Sequence, residues 1–136
     1  MNTIQTQNDI VEDFKVLEGD LEMTLNYLME LGEALEALEE KHKIDENIVK
    51  GCQSKVWLIC TKKNDKIIYK GDSNTAITKG LLSILIKIFN NKTSDEIIKT
   101  DLFFINEIGL NRFIGTQRSN GLESMEKKIK LLAVTV

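Results

Sequence analysis

The sequence predicts an α+β fold, a small antiparallel β-sheet packed against helices. Three observations carry that reading. Residues 55–61 and 66–70 read as two strands, the first with Val56, Leu58 and Cys60 on one face and Trp57 and Ile59 on the other, joined by Asn64-Asp65 as a two-residue hairpin turn. Residues 75–89 form the most apolar segment of the chain and read as a central core helix. Amphipathic segments with capping signals fill most of the remaining chain.

The elements follow in order. Asp9 with Glu12 reads as a capping box before a short helix that places Ile10, Phe14 and Leu17 on one face, and Gly19 ends it. Residues 1–9 are expected to be a flexible N-terminus. Asp20 can cap a second helix with Leu21, Leu25, Leu28 and Leu35 along its stripe. Gly32 interrupts that stripe, as a C-cap or as a close contact. Residues 33–43 are acidic and helix-prone, and 44–54 form a loop.

In the first strand, Val56, Leu58 and Cys60 share the face expected to meet the core, opposite Trp57 and Ile59. The run Gly71-Asp72-Ser73-Asn74 closes the second strand and offers N-cap oxygens to the core helix. That helix carries Gly80, which costs about 1 kcal/mol relative to alanine, so a close backbone approach is expected there. Thr93 with Glu96 opens a short helix, and Asn120 with Glu123 opens the last one. The last helix turns Leu122, Met125, Ile129 and Leu132 inward beneath a lysine-rich outer face. The predicted order is α-α-β-β-α-α-α.

The chain has 136 residues, 42% hydrophobic and 29% charged, enough for one globular domain with a real core. No apolar run is long enough to span a bilayer, and residues 1–8 are polar without a basic cluster. A cytoplasmic protein that binds no membrane is therefore expected. Residues 1–50 carry 13 acidic and 4 basic side chains, and residues 51–136 carry 8 acidic and 14 basic. This asymmetry reads as a solvated acidic face or as steering toward a protein partner. With a net charge of −3 and no basic run interleaved with aromatics, nucleic acid is disfavoured.

Two cysteines make no disulfide framework in a chain of this size, and Cys52 and Cys60 lack the spacing of a redox pair. With one histidine, His42, they make no zinc site without distant carboxylates, so no metal is expected. Cys52 stands between Gly51 and the first strand, where a loop thiol could meet another molecule; the plainer alternative is an inert buried thiol. Cys60, within the strand, fits the inert reading better. Lys50 and Lys55 flank the Cys52 loop, and a turn at Gly51 could add backbone N–H groups to favour thiolate. His42 lies in a charged run that looks like a solvated helix end, a poor place for a catalytic base. A thiol without a base suits attack on a sulfur already activated in a disulfide or persulfide.

The stretch from Asn47 to Leu58, with Gly51-Cys52-Gln53-Ser54-Lys55-Val56-Trp57 at its centre, resembles the active-cysteine motif of the SufE family of sulfur acceptors. Three further blocks are similar in order: Gly71-Asp72-Ser73 with Ile77 and Lys79-Gly80-Leu81, residues 93–101, and Arg118-Ser119-Asn120-Gly121-Leu122 with Met125. The similarity spans about residues 10–133 of what the resemblance makes one SufE-like domain over 1–136. It departs from the family at Leu21, where tryptophan is common, at Thr24-Leu25 and at Glu36.

The resemblance implies a SufE/IscU-like fold and a carrier rather than an enzyme. Cys52 would take the sulfane sulfur of a SufS-type cysteine desulfurase as a persulfide, raise that enzyme's turnover, and deliver the sulfur to an iron–sulfur scaffold complex of the SufBCD type. It implies that the cysteine is shielded on a loop tip at rest and extends into the partner's active site. No cofactor would be bound by this chain; pyridoxal phosphate belongs to the desulfurase. Arg118 matches an arginine near the cysteine loop, acting on sulfur charge or on the partner, or anchoring the last helix. Asp72 matches a position facing Cys52, or simply caps the core helix. Gly51, Gln53 and Ser54 would shape the loop, and Trp57 would serve as core or as a loop platform. A CsdE-type paralogue, an IscU-type scaffold, a cysteine hydrolase using His42, and a homodimer stay open.

Overall fold

The computed structural model describes residues 2–136. Among them six α-helices and three strands follow in order: α1 (Thr3–Lys15), α2 (Leu21–Glu33), β1 (Val56–Lys63), β2 (Lys66–Ser73), α3 (Ala76–Phe89), β3 (Lys92–Thr93), α4 (Ser94–Lys99), α5 (Phe104–Ile108) and α6 (Asn111–Thr135). Two three-residue 3-10 turns, Glu40–His42 and Asp45–Asn47, lie between α2 and β1. The antiparallel sheet has the order β1-β2-β3, so the expected α+β architecture is present.

The hairpin forms where its turn chemistry places it. Asn64 (φ 53°) and Asp65 (φ 65°) both adopt the left-handed conformation that a type I′ turn requires. Lys63 then pairs with Lys66, and the register runs to Val56 opposite Ser73. One face of the hairpin buries Val56, Leu58, Ile67 and Tyr69 in the same cluster as Leu81, Leu85, Ile88 and Phe89 of α3. Each such side chain contributes about 1.5–3 kcal/mol when fully buried. Burial pushes the Tyr69 phenol pKa up, and its hydroxyl donates to the Ile129 carbonyl at 2.7 Å, tying β2 to α6.

Gly80 is explained by the crossing of α2 over α3. A Cβ there would run into the Leu28 carbonyl, and one at Gly32 would lie 2.9 Å from the Gly80 nitrogen. Gly32 is therefore a contact residue inside α2, not its C-cap. Asp20 does cap α2, accepting from the Met23 N–H at 2.8 Å. Leu28 is fully buried on the stripe, but Leu21 is 55% exposed.

Several expectations are corrected. The N-terminus is helical from Thr3, not flexible to residue 9, although Met1 lies outside the described residues. Asn2 and Gln5 form the capping box, and Asp9 lies mid-helix. Tertiary bonds explain this: Thr3 Oγ1 meets Thr100 Oγ1 at 2.9 Å, and buried Gln7 accepts from the Phe103 N–H at 2.8 Å. Residues 35–39 are not helical, and buried Leu38 anchors them. β2 extends three residues past Lys70, to Ser73. β3 and α5 escaped notice because each is too short to show a period. Asn120 does not open the last helix, since α6 begins at Asn111 and kinks at Gly115 (φ 82°). Leu122, Met125 and Ile129 do point inward. Among the described residues, no helix is long and apolar enough to cross a membrane.

Candidate functional site

The site grows from a second, irregular hairpin ahead of β1. Ile48 bridges Trp57 in antiparallel fashion, and the Val49 N–H donates to the Val56 carbonyl at 2.8 Å. Residues 50–55 are left as the tip, with Cys52 in it. Gly51 has φ +95°, and a Cβ there would also strike Ser124 Oγ of α6, so the turn needs glycine twice over. The returning arm is held by the segment joining β2 to α3. The Lys55 N–H donates to Asn74 Oδ1 at 3.0 Å, and the Asn74 N–H donates back to the Lys55 carbonyl at 3.2 Å. Ser54 Oγ shares a 2.7 Å hydrogen bond with Thr75 Oγ1.

Both arms are thus fixed, while the cysteine between them is held lightly. Cys52 Sγ lies 3.5 Å from the Gly121 carbonyl, a weak thiol contact. A Cβ on Gly121 would stand 3.4 Å from the sulfur, so α6 offers a side-chain-free seat for it. Beside the sulfur opens a cavity of about 420 Å³ whose lining includes Gln53, Ser54, Thr78, Gln117 and Arg118. The Cys52 thiol is half-buried, and that burial pushes its pKa above the ordinary value. No cationic side chain offsets the burial, so Lys50 and Lys55 do not activate the sulfur. At neutral pH the resting group is the thiol, and thiolate forms in quantity only when the sulfur meets a different environment.

Cys52, Gln53 and Ser54 come together with Arg118 around this cavity, while Gly51 turns the chain against Ser124 outside its lining. Arg118 is exposed, and its Nη1 donates to the Ile114 carbonyl at 3.5 Å, next to the α6 kink. Asp72 does not line the cavity, and it does not cap α3: Thr75 holds the N-cap position, its hydroxyl turned to Ser54 rather than capping the helix. Asp72 is instead buried at the end of β2, its two oxygens each 3.2 Å from a lysine, Lys79 and Lys43. Burial would raise its pKa, but the Ser73 N–H and the two ammonium groups outweigh burial and hold the carboxyl below its ordinary value. Trp57 is half-buried beneath the Lys43 ammonium, a platform rather than core. Cys60 is only half-buried as well, not sealed in the core.

Sequence reasoning missed Asn74, Thr78 and Lys43. Asn74 is a small polar residue at a strand–helix junction, where an N-cap explains its type equally well, and Thr78 lies in the first turn of α3. Lys43 sat in a charged run that reads as solvated surface. His42, the one histidine, does not line the cavity; its backbone carbonyl accepts from Asn47 Nδ2 at 2.8 Å. Among the described residues, no group of three or more His, Cys, Asp or Glu side chains is gathered to hold a metal ion.

Fold and site together define a class: an α+β protein that presents one loop-tip thiol beside a small cavity. The chain belongs to the SufE family, whose model, described as an Fe-S metabolism associated domain, matches residues 8–133. This ties it to iron–sulfur metabolism. An uncharacterized SufE-like protein of Rhizobium etli is 39% identical over 128 residues, covering 90% of this chain and 86% of the relative. Another from Rhizobium meliloti is 36% identical, covering 90% and 91%. A hypothetical protein from Thermus thermophilus, solved in solution, superposes with a TM-score of 0.76 over 96% of this chain and 97% of its own. At 16% identity, it shows the fold alone.

Proposed function

We propose that this protein is a sulfur acceptor for a pyridoxal-phosphate-dependent cysteine desulfurase of the SufS type, and that Cys52 carries the sulfur. The observation that carries the reading is the lightly held Cys52 at a loop tip whose two arms are fixed, beside a cavity with room for added atoms. In the transfer step Cys52 gives up its proton. Its sulfur then attacks the sulfane sulfur of the donor's persulfide, forming a new S–S bond on Cys52. The donor's S–S bond breaks and its cysteine leaves as thiolate, so the exchange needs no outside oxidant or reductant. The persulfide then passes to an iron–sulfur scaffold complex of the SufBCD type. The cytoplasm, where thiols are kept reduced, suits this chemistry.

A raised thiol pKa fits a carrier. Protonated and seated on Gly121, Cys52 resists adventitious oxidation, and it becomes nucleophilic where the partner removes its proton. The test is alanine release by a SufS-type desulfurase supplied with cysteine and reductant. Adding this protein is expected to raise turnover, and its Cys52→Ser variant is expected to leave turnover at the basal rate. Equal stimulation by both proteins would overturn the proposal.

A further inference from the structure

The connector between α2 and β1 leads into the Cys52 loop, yet apart from its two short 3-10 turns it has no regular structure. One of its side chains reaches the sheet at a buried charge. Lys43 Nζ sits 3.2 Å from Asp72 Oδ2, with the lysine side chain 22% exposed and the aspartate 7%. The other ion pair from this connector to the sheet, Glu36 with Lys70, is longer at 4.0 Å and exposed on both sides. Lys43 also meets Glu40 at 3.0 Å and lies 5.7 Å from the centre of the Trp57 ring, within cation–π range.

These contacts form a line to the reactive loop. Asp72 stands opposite Trp57 in the β1–β2 register, and Trp57 bridges Ile48. The next residue, Val49, closes the stem onto Val56, three residues before Cys52. On the other arm, Asn74 and Thr75, just past Asp72, hold Lys55 and Ser54. One short segment, residues 72–75, therefore secures both arms. On the arm entering the loop it does so through Lys43. Asp72 does not need Lys43 to stay paired, because Lys79 and the Ser73 N–H already serve Oδ1.

We propose that Lys43 is a positioning residue for Cys52: its bond to Asp72 over the Trp57 ring pins the entering arm of the loop and holds the sulfur on its Gly121 seat. The proposal rests on Cys52 being the working thiol, but its test needs no desulfurase. Alkylation by iodoacetamide, read by peptide mass spectrometry, reports Cys52 and Cys60 separately in the same molecule. Lys43→Met is expected to speed Cys52 alkylation about five-fold, the change in loop opening expected for loss of a partly exposed ion pair, and to leave Cys60 unchanged. Lys43→Arg, which keeps the charge, is expected to restore the wild-type ratio. Lys43→Gln removes the charge while keeping most of the stem over Trp57. It gives the same direction with a smaller rise and serves if the methionine variant folds poorly. An unchanged Cys52 rate in a folded Lys43→Gln protein, or equal acceleration of both cysteines, overturns the positioning role. Failure of the wild-type protein to accept sulfur from a desulfurase would overturn the carrier reading instead, and would leave the alkylation result standing.

Discussion

Cys52 and Cys60 are eight residues apart, both half-buried, both free, and both with thiol pKa values raised by burial. What differs is the backbone beneath them. Cys60 is locked in the β1–β2 ladder opposite Tyr69, so moving it means unpairing a strand. Cys52 lies in a tip between two pinned arms, its sulfur meeting a weak acceptor and a cavity. Opening a loop tip is a local event, while opening a strand approaches global unfolding. Under the proposed function, the pair teaches that freedom of movement and adjoining space, not a lowered pKa, single out Cys52.

The comparison can be broken most forcefully at Gly51. Gly51→Ala puts a side chain into a left-handed backbone and against Ser124, at a cost of about 1–2 kcal/mol. Cys52 alkylation is expected to rise about ten-fold, because the strained loop leaves α6, while Cys60 keeps its rate. Equal effects on both thiols would show that the loop and the strand open as one unit.

A smaller effect separates the two thiols by pH. Thiolate is the alkylated form, so each rate rises as pH climbs through the group's own pKa. Both midpoints are expected above the ordinary cysteine range. Cys60 should be less displaced than burial alone dictates, because Lys128 draws it partly back. A Cys52 midpoint below the ordinary range would mean that Lys50, Lys55 or Arg118 reaches the sulfur.

The sequence disclosed the parts of this molecule that are local. Asn64-Asp65 demanded a hairpin, the apolar run ending at Phe89 demanded a buried helix, and Gly80 demanded a close neighbour. It misled where tertiary contacts decide. Asp9 with Glu12 looked like a helix start, but the bonds of Thr3 and Gln7 across nearly a hundred residues carry α1 back to Thr3. Asn120 with Glu123 looked like another, but α6 begins earlier and bends at Gly115. Within the site, the Gly-Cys pair was legible because glycine before a strand has a local reason. Asp72 drew notice for its position but not for its partners: the spacing of residues 43, 72 and 79 gives no hint that they converge.

The central claim is that Cys52, and not Cys60, receives sulfur. Its most direct test is to incubate the protein with a SufS-type desulfurase and cysteine, trap persulfides, and map the added sulfur by peptide mass spectrometry. The account predicts one extra sulfur atom on the Cys52 peptide, none on the Cys60 peptide, and none anywhere in the Cys52→Ser protein. Sulfur on Cys60, or cysteine-derived sulfur retained by Cys52→Ser, would contradict it.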